Sequence, residues 1–161
     1  MILNLNDNWE LYKQEANGAI IKISSAFSIP NTINSILKLK PEDHFDLGLD
    51  RWIYQKEVKS DFDFSTIVLN GLATVCDIYI DNECVLQTDN MFKQYKITTD
   101  KKLFTLKIIF KSHLDYIANR KGRAKWKSTL SVDNNLRHLR TILIGHIKPW
   151  IINSVVSGIF R

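Results

Sequence analysis

Leu103-Phe104-Thr105-Leu106-Lys107-Ile108-Ile109-Phe110 alternates along its length. Phe104, Leu106, Ile108 and Phe110 stand on one side; Leu103, Thr105, Lys107 and Ile109 stand on the other. Period two over eight residues reads as a strand with one greasy face. Working outward, Trp52-Ile53-Tyr54-Gln55-Lys56-Glu57-Val58 is rich in aromatic and β-branched residues, and Ser65-Thr66-Ile67-Val68-Leu69-Asn70 reads the same way before Gly71 closes it. Trp9-Glu10-Leu11-Tyr12 and Ala19-Ile20-Ile21-Lys22-Ile23 flank Asn17-Gly18, a strong hairpin signal.

Val75 to Gln87 reads as another hairpin. Ile78-Tyr79-Ile80 runs into Asp81-Asn82 and returns as Glu83-Cys84-Val85-Leu86. Asp and Asn tolerate positive φ, so a two-residue turn of type I′ is expected. That turn pairs Ile80 with Glu83, Tyr79 with Cys84 and Ile78 with Val85. Cys76 then shares a face with Ile78 and Ile80, while Cys84 sits on the other face with Tyr79. A disulfide between the two cysteines is geometrically blocked.

Helix signals are sparse. Pro30 to Leu37 reads as a short helix capped by Asn31 or Thr32, with Ile33, Ile36 and Leu37 on one side. Leu136 to Ile144 reads as helix or strand alike. The sum is about eight to ten short antiparallel strands with at most one short helix. No strand–helix alternation supports a parallel sheet, so the class is all-β, a sandwich or jelly roll.

The 161 residues suit one domain, 1–161, without linker or internal repeat. A chain this size buries roughly 68–70% of its unfolded surface and needs neither disulfide nor metal to hold a core. Hydrophobic residues make up 45% and charged residues 24%, which argues against disorder. Six glycines and three prolines exclude collagen-like and linker-rich readings. No apolar run reaches the length of a membrane span. The start, Met-Ile-Leu-Asn-Leu-Asn-Asp-Asn-Trp, lacks a basic leader followed by an apolar stretch, and two cysteines are too few for a disulfide scaffold. A reducing, cytoplasmic location is the expectation.

Motifs for local chemistry are missing. There is no G-x-G-x-x-G, no G-x-x-x-x-G-K and no G-x-S-x-G. His44, His113, His138 and His146 are scattered. His113 and Asp115 share one face if their segment is a strand, but two ligands make a poor metal site. No metal, no cofactor and no catalytic residue is expected in this chain. Net charge is +5, and Arg120, Lys121, Arg123, Lys125 and Lys127 crowd five cations into eight residues without an acid. Gly122 interrupts any β pattern, so 119–128 reads as an exposed loop: a solvated one, or a contact for a polyanion. Nucleic acid is not the expected partner, and no membrane is.

Several stretches together resemble the N-terminal sugar-binding domain of family 2 glycoside hydrolases, in the β-mannosidase-like branch. Leu69-Asn70-Gly71-Leu72 through Val75-Cys76-Asp77-Ile78-Tyr79-Ile80-Asp81-Asn82 is similar to that domain's central Gly-Leu and Val-Tyr-Leu-Asn-Gly hairpin. Thr88-Asp89-Asn90-Met91-Phe92-Lys93-Gln94-Tyr95 resembles a stretch of the β-mannosidase branch. Ile29-Pro30-Asn31-Thr32-Ile33 is similar to its Val-Pro-Gly-Thr-Val, and Trp52-Ile53-Tyr54 to its Trp-x-Tyr. Leu5-Asn6-Asp7-Asn8-Trp9 resembles the opening Leu-Asn-Gly-x-Trp, and Ser157-Gly158-Ile159-Phe160-Arg161 the closing Gly-Ile-Trp/Phe-Arg. The matches are collinear.

The resemblance implies a galactose-binding-domain-like jelly roll. It also implies a domain excised from a longer multidomain hydrolase, whose absent (β/α)₈ barrel of about 250 residues carries the two catalytic glutamates. The implied role is non-catalytic: to buttress that barrel and wall one side of its sugar pocket. Partners are then a carbohydrate, met through the parent enzyme, and the rest of the parent chain. The alternative is a free-standing jelly-roll lectin or interaction module that uses the basic loop. Trp9, Trp52 and Tyr54 read as packing rather than sugar platforms, and Asp89 and Asn90 as turn formers. β-Mannosidases carry a Gly-Trp-Asp-Trp-Gly-Pro run whose Trp and Asp contact the sugar. The matching stretch here is Gly145-His146-Ile147-Lys148-Pro149-Trp150. Ile147 stands where the carboxylate is expected, so either the parent enzyme takes another sugar or His146, Lys148 and Trp150, the candidate pocket wall, replace the missing contacts.

Overall fold

The computed structural model describes residues 5, 7–13, 21–25, 51–118 and 138–141. Among the described residues the strands are β1 (Asp7–Lys13), β2 (Ile21–Ser25), β3 (Trp52–Lys59), β4 (Ser65–Leu69), β5 (Cys76–Ile80), β6 (Glu83–Thr88), β7 (Tyr95–Thr99) and β8 (Leu103–Phe110), followed by a short helix, α1 (His113–Ala118). Six strands form one sheet in the order β2-β1-β3-β8-β5-β6, and β4 and β7 pair as a second. Every strand pairing is antiparallel. The fold is the expected all-β jelly-roll sandwich.

The alternation in β8 decides the layering. Phe104, Leu106 and Ile108 are buried, and they join Ile78 and Ile80 of β5, Trp52, Tyr54 and Val58 of β3, and Trp9 and Leu11 of β1. Ile67, Leu69 and Ile97 of the small sheet complete the same cluster. Burying side chains of this size stabilises by about 1.5–3 kcal/mol each before the cost of ordering them. Trp9, Trp52 and Tyr54 are therefore core residues. Tyr54 meets Trp9 edge-on with centroids 6.1 Å apart and Phe110 with centroids 5.7 Å apart, the geometry that ring quadrupoles favour.

One residue in the core phase of β3 is charged. Lys56 carries its ammonium past the cluster, where Nζ donates to the carbonyls of Leu5 (3.3 Å) and Asp7 (2.6 Å). The Trp9 indole N–H also donates to Leu5 O, at 2.7 Å. Partial burial pulls the Lys56 pKa down, and the nearby Asp7 opposes that shift.

The β5–β6 hairpin corrects the expected register. Ile80 pairs with Glu83 and Tyr79 with Cys84, but Ile78 pairs with Leu86, because a bulge falls between Ile78 and Tyr79 and Val85 is the extra residue. The turn differs as well. Asp81 has φ 57 and Asn82 is not among the positive-φ residues, whereas type I′ needs both. The faces hold: Cys76 is buried beside Ile78 and Ile80, and Cys84 is exposed. Both thiols are free, and burial pushes Cys76 up to about 12. The helix expected over Pro30–Leu37 and the Asn17-Gly18 turn lie outside the described residues.

At one end of the sandwich, the β5–β6 turn and the two loops that cross between the sheets are laced together. Ser60 N donates to Lys102 O at 2.7 Å. Asp81 N donates to Thr105 O at 2.8 Å, and Thr105 N returns a bond to Asp81 Oδ1 at 2.9 Å. The Lys101 ammonium pairs with the other Asp81 oxygen. These contacts hold the Asp81 carboxyl below the usual carboxylate range, with the Lys101 hydrogen bond the largest cause and the Thr105 amide the next.

A depressed carboxyl favours folding above its unfolded pKa near 4, and that advantage is lost as pH falls through the lower folded value. Asp81→Asn keeps a residue that tolerates positive φ and removes the charge. Urea midpoints should show the variant less stable than the parent at pH 7, with the gap narrowing as the pH is taken below the unfolded value and through the lower folded one. The pair is partly exposed, so added salt should also narrow the gap. A gap that persists unchanged at low pH would show that the ion pair is not its source.

Candidate functional site

The candidate pocket wall, His146, Lys148 and Trp150, lies outside the described residues. So do Arg120, Lys121, Arg123, Lys125 and Lys127. The described residues nearest that wall in sequence are 138–141, and they are held at the opposite end of the sandwich from the Asp81 turn. There Asn90 and Arg140 form a parallel bridge, and Met91 N donates to Arg140 O at 3.0 Å. Thr141 Oγ1 donates to Met91 Sδ at 3.3 Å.

The partner of that strap is the β6–β7 loop, the stretch that resembles the β-mannosidase branch. Asn90 organises it. Its Oδ1 accepts from Phe92 N at 3.0 Å, closing a local Asx turn, and its carbonyl accepts from the Tyr95 hydroxyl at 3.0 Å. Asn90 is thus a turn former, as expected. Gln94 Nε2 reaches across to Asn70 Oδ1 at 3.0 Å, which ties the loop to the chain just after β4. There Gly71, at φ 68, supplies the left-handed backbone that reverses the strand. Met91 is buried beneath, and Phe92 is 69% exposed at the tip. The loop presents an aromatic ring and two linked amides on a fixed backbone.

A second small cluster supports this end. Val75, Ile117 and Leu139 are buried together, with Tyr116 packed against them. α1 is started by Ser112, whose hydroxyl accepts from Asp115 N at 3.2 Å and whose carbonyl accepts from Tyr116 N at 3.2 Å. His113 and Asp115 therefore lie on a helix, not a strand. Two residues apart on a helix, they do not face each other, so the shared-face reading fails. The missed signal was local: a Ser three residues ahead of an acid at the first turn.

Other polar groups at this end bond within the fold. Asp77 Oδ1 accepts from Gln87 Nε2 at 2.9 Å, and the Lys111 ammonium sits 2.8 Å from the same oxygen. Thr88 Oγ1 donates to the buried Thr74 carbonyl at 3.0 Å. Thr74 Oγ1 and His138 Nε2 are buried and make no hydrogen bond among the described residues. No group of three or more His, Cys, Asp or Glu capable of holding a metal occurs among the described residues.

The family model described as the glycosyl hydrolase 2 galactose-binding domain-like domain matches residues 31–161. A β-mannosidase of Bos taurus is 25% identical over 140 residues, covering 75% of this chain and 15% of that protein. The β-mannosidase of Mus musculus is 32% identical over 78 residues, 44% of this chain and 9% of its own length. This chain thus spans only 9–15% of the length of these relatives. The crystal structure of a β-D-mannosidase from Dictyoglomus thermophilum matches with a TM-score of 0.67 at 17% identity, covering 83% of this chain and 18% of that one. The structural likeness establishes the shared fold.

Among the described residues, few bonds shape the β6–β7 loop, so it is sensitive to single atoms. Tyr95→Phe removes only the hydroxyl that reaches Asn90 O, at a cost of about 1 kcal/mol. Amide hydrogen exchange at Met91 and Phe92 should quicken by roughly tenfold or less, while exchange in β8 stays unchanged. Equal loss of protection in β8 would mean that the hydroxyl supports the whole sandwich rather than this loop.

Proposed function

This chain belongs to the glycosyl hydrolase 2 galactose-binding domain-like family, and on that premise we propose that it serves as the non-catalytic, sugar-binding-type N-terminal domain of a β-mannosidase-like glycoside hydrolase. The family match over residues 31–161 carries the reading. The relatives' length supports it too, since this chain corresponds to 15% of the bovine β-mannosidase and leaves room there for a catalytic barrel. Cleavage then belongs to the rest of the parent polypeptide. The substrate class is a glycoside bearing a terminal sugar, with β-mannosides the first to test. The proposed location is cytoplasmic.

The finer role is to buttress the barrel and to wall one side of its sugar pocket through His146, Lys148 and Trp150. The strap at 138–141, pinned to the β6–β7 loop, supports this reading because it anchors the chain just upstream of that segment. Ile147 accepts no hydroxyl where a carboxylate accepts two. The parent enzyme therefore holds its sugar differently from enzymes with the Trp-Asp-Trp run, with His146 and Lys148 as the polar contacts and Trp150 as the ring.

Two measurements test the proposal. In the full-length polypeptide, His146→Ala, Lys148→Ala and Trp150→Ala should each lower kcat/KM by about 10- to 100-fold, the equivalent of one lost hydrogen bond or stacking contact to the sugar. Unchanged kcat/KM in all three removes these residues from the pocket. This chain alone should release nothing from aryl β-mannoside, β-galactoside or β-glucuronide. Turnover that survives repurification and vanishes on mutating one carboxylate would overturn the non-catalytic assignment.

A further inference from the structure

The β6–β7 loop sets an aromatic ring in water beside two side-chain amides. Phe92 is 69% exposed, and the backbone beneath it is held. Asn90 Oδ1 accepts from Phe92 N at 3.0 Å, while Asn90 O accepts from the Tyr95 hydroxyl at 3.0 Å and from Lys93 N at 3.4 Å. Met91 is buried under the loop, and its amide donates to Arg140 O at 3.0 Å. A ring carried on such a backbone stays in water at a hydrophobic cost that the fold does not recover. The amides are the second half of the arrangement. Gln94 Nε2 donates to Asn70 Oδ1 at 3.0 Å. That bond orients both groups, and it uses one donor of Gln94 and one lone pair of Asn70. A primary amide has two donors and an acceptor, so the linked pair keeps a donor on Asn70 and an acceptor on Gln94 for a further partner.

We propose that Phe92, Gln94 and Asn70 form a saccharide contact, distinct from the wall at His146, Lys148 and Trp150. The inference deepens the reading of this chain as a sugar-binding-type domain and rests on it. The chemistry of the three side chains selects the ligand. A pyranose ring carries C–H groups on one face, and an exposed aromatic ring packs against such a face. Neighbouring sugar hydroxyls each donate and accept, so a donor and an acceptor standing together meet a vicinal pair. Both amides are uncharged, which suits a neutral polyhydroxyl rather than an ion. Lys93, exposed between Phe92 and Gln94, adds a donor at the rim. Size points the same way. One phenylalanine ring exposes on the order of 100 Å², far below the ~800 Å² per partner of a stable protein complex, whereas a single sugar ring is covered by one aromatic side chain. The saccharide is the far end of the parent enzyme's substrate or a separate chain. Both present the same ring face and the same diol.

A titration of this chain with β-1,4-linked mannotriose, and separately with cellotriose, tests the contact through backbone amide shifts. At least one trisaccharide should move the signals of Asn70 and of Phe92 to Gln94. Phe92→Ala and Gln94→Ala should each weaken binding by about five- to tenfold, and Phe92→Tyr, which keeps the ring, should bind within about twofold of the parent. No shift at these amides with either sugar overturns the contact, as does binding that Phe92→Ala leaves intact. Kinetics of the full-length polypeptide on the trisaccharide separate the two sources. A KM raised about fivefold by Phe92→Ala at constant kcat assigns the ligand to the far end of the substrate. An unchanged KM, with binding still lost in this chain, assigns it to a separate saccharide. A full-length polypeptide that cleaves no glycoside, while this chain still binds through Phe92, removes the hydrolase reading and leaves the contact standing. Cleavage without binding at Phe92 does the reverse.

Discussion

Everything in the sandwich hangs on burying one face of β8 between two layers. Phe104, Leu106 and Ile108 point into the cluster that the two sheets share, and each is almost wholly removed from water. β8 lies between β3 and β5, so its buried residues take their neighbours from both sides. A shift of one residue in β8 would turn Thr105, Lys107 and Ile109 inward. Placing Lys107 in that cluster would bury a cation without a partner, which is why the register admits no alternative.

The sequence displays this constraint plainly because side-chain alternation is local. Strands β1, β3, β4 and β8 are legible from their own residues, as are the opposite faces of Cys76 and Cys84. Other features escape the local window. The bulge at Val85 is invisible to a two-residue count, since Cys84-Val85-Leu86 has no glycine or charge to mark the extra residue. The capped helix after Ser112 is short, and His113-Leu114-Asp115 reads equally well as a strand. Lys56 occupies a core phase in β3, and only the carbonyls of Leu5 and Asp7 explain how its charge is carried there. For the site, Thr88 to Tyr95 is recognisable by resemblance. Its anchoring by Arg140 links residues fifty positions apart, and no local pattern encodes such a pairing.

The two ends of the sandwich are built on different principles. At the Asp81 end, ionic and backbone bonds knit three loops. At the other end, an asparagine and a tyrosine hydroxyl shape one loop, and Met91 ties it to a strap through Arg140 and Thr141, with linked amides beside them. The first arrangement resists shear. The second fixes side chains that have hydrogen-bonding capacity to spare, which suits a surface facing a polar ligand. One small domain thereby carries two unlike ends without altering its core.

The bulge in β6 bears on solubility. Among the described residues, β6 stands last in the order of the six-stranded sheet, a position where backbone donors and acceptors invite a foreign strand to add on. With Val85 inserted, two residues face one partner, and the strand twists away from its ideal line. A flat strand from another molecule would lose its hydrogen-bond match at that point, and its side chains would fall out of phase beyond it. Glu83 at the near end adds a charge to the same edge. The irregularity that hid the register from the sequence is thus also one that breaks the regular line a pairing strand would need.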